Sequence, residues 1–272
     1  GEEILLAGPV YPYYAGRANF LDAETTFVPV ESDGRLDPDA VRAAASSETA
    51  VVVVNSPNNP TGAVYDGDAM AEFAAVAEAN DALLVSDEVY DHFDYSGRFA
   101  SALATDSPNV VATNAFSKSM AITGFRVGYA VFPPTDGPTG ELLDRTTTRH
   151  MLTNVSGSRP AQYAVERAMG TTDRSYYETA RKRLRNRIET FCDALDATGA
   201  AYTRPDGGFY VLARFPDFPG TFDNAEVLVD EAGVAGMPGV AFGEARADWL
   251  RFSLTTPRVE TAAERLVEYF GE

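Results

Sequence analysis

The chain has 272 residues, 40 of them acidic against 22 basic, for a formal charge of −18. A surface of that sign repels nucleic acid and anionic membranes, which excludes both as expected partners. No apolar run approaches the roughly 18–20 residues that a helical membrane span needs.

The acidic residues are scattered rather than blocked into a tail, as on a solvated folded surface. Only two of the 22 basic residues are lysines, Lys118 and Lys182. Abundant carboxylates with few lysines look like adaptation to high salt, where screening removes the self-repulsion; a genome biased towards arginine codons is the other source of the same pattern. The first residues, GEEILLAGP, lack the basic, apolar, small-residue order of a signal peptide. The one cysteine, Cys192, offers no partner for an internal disulfide. It lies in a helical-looking run, reads as a small core residue, and fits a reducing cytoplasm.

In chain order, residues 3–7 and 25–30 read as short strands, and 38–46 as a helix with Pro38 near its start. Residues 50–54, AVVVV, are a continuous β-branched run, as expected of a strand buried on both faces. A helix over 66–80 has Asp66 as its cap. Strands follow at 82–86, 109–113 and 127–132, a loop at 133–140, helices near 141–151 and 160–169, and a long helix over 173–198. Short strands near 200–203, 209–214 and 249–254 then alternate with helices near 223–232 and 258–270. The expected fold is α/β with a mostly parallel sheet over 1–172, a connecting long helix over 173–198, and a smaller α+β domain over 199–272.

Chemistry in a parallel α/β sheet gathers at the carboxyl ends of its strands. Three successive strands are followed by NSPNNPTG, DEVYDHFDY and NAFSKSMAITGFR. They deliver Asn59, then Asp87 and Tyr90, then Lys118 and Arg126 to one rim. A lysine amine forms a Schiff base with an aldehyde, which arginine cannot do. A carboxylate keeps a ring nitrogen protonated, a phenol and an amide donate to a phenolate oxygen, and a guanidinium binds phosphate. That set matches the requirements of pyridoxal phosphate. It also explains a lysine at 118 in a chain that elsewhere uses arginine. No cluster of histidine and cysteine points to a metal, and His92 and His150 read as ordinary residues.

The segments SPNNPTGAVY (56–65), SDEVYDHFDY (86–95), SKSMAITGFRVGY (117–129), RPDGGFYV (204–211) and WLRFSLTT (249–256) occur in this order over nearly the whole chain. On these segments the chain resembles the pyridoxal phosphate-dependent class I/II aminotransferases of fold type I. DEVY with GGFY is more similar to the aspartate, alanine, aromatic and kynurenine branch than to the histidinol-phosphate branch.

The resemblance implies roles for matching positions. Lys118 would hold the cofactor as a Schiff base and then move the proton between substrate Cα and cofactor C4′. Asp87 would pair with the ring nitrogen. Tyr90 and Asn59 would donate to the phenolate oxygen, with Asn59 also touching the substrate carboxylate. Arg126 would bind phosphate, and Ser117 is a candidate beside it. Arg251 would clamp the substrate α-carboxylate in a two-pronged pairing. Tyr11 would stack on the cofactor ring, although Tyr13 and Tyr14 compete for that place. Gly207 and Gly208 would let the chain turn close to the pocket.

The reaction implied is ping-pong transamination between an amino acid and a 2-oxo acid, with a homodimer as the full-length assembly. A lyase or decarboxylase using the same cofactor site, or a silent fragment of such an enzyme, are the alternatives. Two departures from the family pattern stand out. Ala115 occupies a place where many relatives have serine. GEEILLAGP resembles the family's second large-domain strand, so the first strand, an arm over the active site and a phosphate-binding turn are expected to be missing before it.

Overall fold

The computed structural model describes residues 2–133 and 138–271. The first half alternates strands and helices: β1 (Glu3–Gly8), α1 (Tyr13–Phe20), β2 (Glu24–Pro29), α2 (Pro38–Ala44), β3 (Thr49–Asn55), α3 (Gly67–Ala79), β4 (Leu83–Asp87), β5 (Val110–Ala115), α4 (Phe116–Ser119) and β6 (Gly128–Val131). Helices α5 (Pro138–Asn154), α6 (Arg159–Thr171) and α7 (Arg174–Ala197) follow. The remainder comprises β7 (Ala201–Thr203), β8 (Tyr210–Arg214), α8 (Phe222–Ala232), β9 (Met237–Pro238), β10 (Leu250–Ser253) and α9 (Val259–Phe270).

The first sheet runs β2-β1-β3-β4-β5-β6. Its pairings are parallel except the last, where β6 runs antiparallel to β5. Valine and leucine at Val52, Val53, Val54 and Leu84 are buried, as a sheet covered on both faces requires. Helix α3 lays Met70, Phe73, Val76 and Ala77 on it, spaced three and four apart so that they share one helix face. Asp66 accepts from the Ala69 N–H at 3.0 Å, the expected cap.

The second sheet is antiparallel, β7-β8-β10-β9. Helix α7 covers it with the stripe Ile188, Phe191, Cys192 and Leu195, and α9 adds Val259, Ala263 and Leu266. Cys192 is fully buried there, and burial raises its thiol to about 12, so it is an inert core residue.

The expected elements are present with boundaries shifted by a few residues, and three differences, in α1, α5 and β9, are informative. Helix α1 was not expected: Pro12 and Gly16 break the apolar pattern, yet the short helix caps the end of β1. Helix α5 begins at Pro138, inside the stretch expected as loop at 133–140; residues 134–137 of that stretch lie outside the described ones. The two-residue β9 is too short to leave a period-two signal. Strand β6 forms an edge of the sheet, and its four residues are all exposed.

Between the two sheets sits a small aromatic cluster of Tyr90, Phe93, Leu184, Phe209 and Tyr210. It joins the segment after β4, the middle of α7 and the entry to β8. The Gly208 N–H donates to the Phe93 carbonyl at 2.9 Å, and the Tyr95 N–H to the Asp206 carbonyl at 2.8 Å. The DHFDY and DGGFY segments are thereby stitched together, which fixes how the second sheet faces the strand ends of the first.

Candidate active site

Asn59, Asp87, Tyr90 and Lys118 sit where strands of the first sheet end, and Arg251 comes from the second sheet. Asn59 lies in the turn after β3 and is 3% exposed. Its N–H donates to Asn55 Oδ1 at 2.8 Å, so the last residue of the strand orients the turn. Its own Oδ1 accepts from Arg251 Nη1 at 3.0 Å.

Arg251 comes from β10, paired with Leu212 of β8. Its guanidinium lies over the Tyr210 ring at 4.3 Å and the Phe242 ring at 4.5 Å. Its Nε is buried with no hydrogen-bond partner. Burial pulls the guanidinium below its ordinary range, and the hydroxyls of Tyr210, Tyr90 and Tyr11 oppose that shift. A half-buried, still-charged guanidinium suits an anion that would complete its hydrogen bonds.

Asp87 ends β4. Its Oδ1 accepts from the Val89 N–H at 3.1 Å, and its Oδ2 accepts from the Tyr14 hydroxyl. Burial raises its pKa, while Tyr14, the Val89 N–H and the charge of Lys118 pull it back. Tyr90 is buried, with its hydroxyl 3.5 Å from that of Tyr210. Burial, then Tyr210, push its phenol above the ordinary range, so it stays a donor at neutral pH.

Lys118 lies in α4, the single helical turn after β5. Its Nζ is 5.6 Å from the Tyr90 ring centroid and 5.5 Å from that of Phe209. No carboxylate is ion-paired with it among the described residues. An amine held over ring faces, near Asp87 but not locked to it, is available for covalent chemistry.

A cavity of about 660 Å³ opens on the α7 side of Lys118. Ser117, Phe209, Tyr210 and Ser253 line it, Arg183 and Arg187 stand on its α7 wall, and no carboxylate contributes to it. In a chain of charge −18, a cavity whose only charged lining is cationic suits an anion.

The remaining expected residues are placed more loosely. Tyr11 is 44% exposed and stacks on Tyr13 with ring centroids 6.3 Å apart, and it meets Tyr14 edge-on at 6.1 Å. Arg126 is exposed and donates to the Thr123 carbonyl at 2.9 Å; like Asn59, Asp87, Tyr90 and Arg251, it is not among the residues lining the cavity beside Lys118. Ser117 is buried, and its carbonyl accepts from Thr123. His92 stacks on Tyr177 at 4.3 Å. No cluster of metal-ligating side chains exists among the described residues, and no helix among them is long and apolar enough to cross a membrane.

Sequence reasoning missed two contributors. Tyr14 entered only as a competitor for the place of Tyr11, and α1, which carries it, is too short and interrupted to leave a helical spacing. Tyr210 follows GGF on a strand, where alternation alone leaves its direction undecided; only the pairing of β8 with β10 puts its ring under Arg251.

The profile of the family "Aminotransferase class I and II" matches residues 1–266. An aspartate/prephenate aminotransferase of Thermus thermophilus is 33% identical over 286 residues, with all of this chain and 70% of the relative covered. The solved structure of a single mutant of Thermus thermophilus aspartate aminotransferase superposes with a TM-score of 0.90 at 32% identity, over 99% of this chain and 69% of that one. The structure of an aromatic aminotransferase from Pyrococcus horikoshii gives 0.89 at 30% identity, over 99% and 73%. The chain belongs to the class I and II aminotransferases, pyridoxal phosphate-dependent enzymes that exchange an amino group between an amino acid and a 2-oxo acid.

Proposed function

We propose that this chain binds pyridoxal phosphate at the rim built by Asn59, Asp87, Tyr90 and Lys118, and transaminates amino acids there by ping-pong turnover. When bound, the cofactor supplies an electron-withdrawing ring that makes the substrate Cα proton removable. Lys118 would hold the cofactor covalently through its amine. Once displaced by substrate, that amine takes the Cα proton and returns it on the cofactor side. Asp87, ionised, keeps the ring nitrogen protonated. Tyr90 and Asn59 donate to the phenolate oxygen. Arg126 and Ser117 are assigned to the phosphate, and Tyr11 to the ring face.

The observation that carries the reading is Arg251. Its Nη1 bond to Asn59 sets a guanidinium from the second sheet at the rim that carries Lys118, and a guanidinium suits two-pronged pairing with the α-carboxylate common to all amino acids. The relatives' names include aspartate, prephenate and aromatic amino-acid aminotransferases, so the donor is the open variable. The cationic cavity beside Lys118 favours acidic partners. A screen of amino donors against 2-oxoglutarate and pyruvate tests the function. Conversion of the cofactor spectrum to the amine form by amino acid alone supports transamination, whereas loss of the substrate carboxylate as carbon dioxide would overturn it.

A salt-adapted, cytoplasmic homodimer is part of the same reading. The acidic composition supports the first element and the single buried cysteine the second. Exposed apolar side chains at Phe20, Met151, Leu152 and Val155 support the third.

A further inference from the structure

The strongest unassigned feature of the site is the phenol behind Asp87. Tyr14 is half-buried, lies on α1, and directs its hydroxyl at Asp87 Oδ2 from 73 residues away in sequence. A carboxylate in that position faces two opposing demands. It must be buried to lie against a flat ring, and burial favours its neutral form. A neutral carboxylic acid cannot hold a ring nitrogen protonated.

The groups facing Asp87 settle the balance. The Val89 N–H donates to Oδ1, and the Lys118 ammonium is near enough to favour the charged form. Tyr90, the other ionisable neighbour, is a neutral phenol whose own ionisation is opposed by burial. Among the described residues, Tyr14 supplies the one side-chain donor to the carboxylate. Its own phenol is held well above its ordinary range, chiefly by burial and then by Asp87 itself, so its proton stays on the phenol and remains available for donation. Tyr11 meets the Tyr14 ring edge-on, a contact that helps hold the ring in place.

We propose that Tyr14 is a positioning residue that keeps Asp87 ionised and oriented for the cofactor ring nitrogen, so that α1 helps set the protonation state of the site. The proposal rests on Asp87 being the ring-nitrogen partner, and the test separates the two ideas.

Pyridoxal phosphate affinity is measured by equilibrium dialysis across pH in the full protein, for wild type, Tyr14→Phe, Asp87→Asn and the double variant. Near-ultraviolet circular dichroism checks that each is folded. Tyr14→Phe should weaken binding by roughly tenfold, the size expected for losing one hydrogen bond to a charged group. It should also move the acid limb of the binding curve to higher pH, because Asp87 then stays protonated further up the scale. In the Asp87→Asn background, Tyr14→Phe should have little further effect. An unmoved acid limb, or equal losses in both backgrounds, would overturn the role of Tyr14. If Asp87→Asn alone leaves affinity unchanged, the assignment of Asp87 itself fails, which is a different result.

Discussion

Arg251 Nη1 and Asn59 Oδ1 lie 3.0 Å apart across 192 residues of sequence. The bond ties β10 to the turn after β3, so one pair of side chains links the two sheets at the site. Replacing Arg251 by alanine removes the charge and strands a buried amide oxygen. The expected result is a KM raised roughly 10–100-fold for every amino donor, since the α-carboxylate is common to all and each charged hydrogen bond contributes about 1.5–3 kcal/mol. Steady-state kinetics on one acidic and one neutral donor checks this; an effect confined to acidic donors would contradict the assigned role.

Lys118→Arg keeps the charge over the Tyr90 and Phe209 rings but removes the amine from the site. Activity should fall by on the order of 10⁴-fold or more, with unfolding temperature nearly unchanged. Borohydride reduction of the wild-type protein followed by peptide mapping locates the cofactor adduct. Its appearance on Lys182 instead of Lys118 would sink the site assignment.

These two residues also mark what the sequence made legible. Lys118, Asp87, Asn59 and Tyr90 follow strand ends directly, so reading the strands placed them on one rim. Arg251 was reachable through the WLRFS segment. The second layer was not legible, because it depends on tertiary pairing. Tyr14 lies on a helix too short and too interrupted to leave a period, and Tyr210 acquires its role from the register of β8 against β10. Residue type did not fix the place of Arg126 either, whose guanidinium turns back on the Thr123 carbonyl.

Asp87 has a consequence for stability. Its carboxyl is held above the ordinary carboxylate range, first by burial. A group with a higher pKa folded than unfolded binds more protons when folded. Stability is then greatest below the unfolded pKa and declines as pH rises to the folded one. Above that window the ionised Asp87 is a net cost to the cofactor-free protein. Asp87→Asn should therefore raise the Tm of the cofactor-free protein at neutral pH, with the gain shrinking towards about pH 4. Scanning calorimetry at several pH values checks the sign, and a lower Tm at neutral pH contradicts it.

The charge of −18 makes a prediction about solvent. Repulsion among surface carboxylates acts over a Debye length of about 10 Å at 0.1 M salt and about 3 Å at 1 M. Tm should rise between 0.1 M and molar potassium chloride. A fall over that range would remove the salt-adapted reading and leave codon bias as the source of the composition.

Gly62 carries the last prediction, because it is where the turn bearing Asn59 meets the loop leading to Tyr210. Its carbonyl accepts from the N–H groups of Asp206 at 3.0 Å and Gly207 at 2.9 Å, and its own N–H donates to the Asn58 carbonyl at 2.9 Å. Its φ of +75° belongs to the left-handed region, and a Cβ there would lie 2.2 Å from Pro205 Cβ and 2.7 Å from Pro205 Cα. The clash is with a rigid ring and backbone, so the two segments must separate. Gly97 is the control: its φ is +73°, but a Cβ added there would meet nothing within 4 Å. Gly97→Ala should cost only the left-handed penalty of about 1–2 kcal/mol. Gly62→Ala adds overpacking of about 1–3 kcal/mol and moves Asn59 relative to Arg251. It should therefore lower Tm more than Gly97→Ala does, weaken cofactor binding and raise the substrate KM, both of which Gly97→Ala should leave intact. Equal effects of the two substitutions would mean that strain alone governs both positions and that the Gly62–Pro205 contact does not hold the site together.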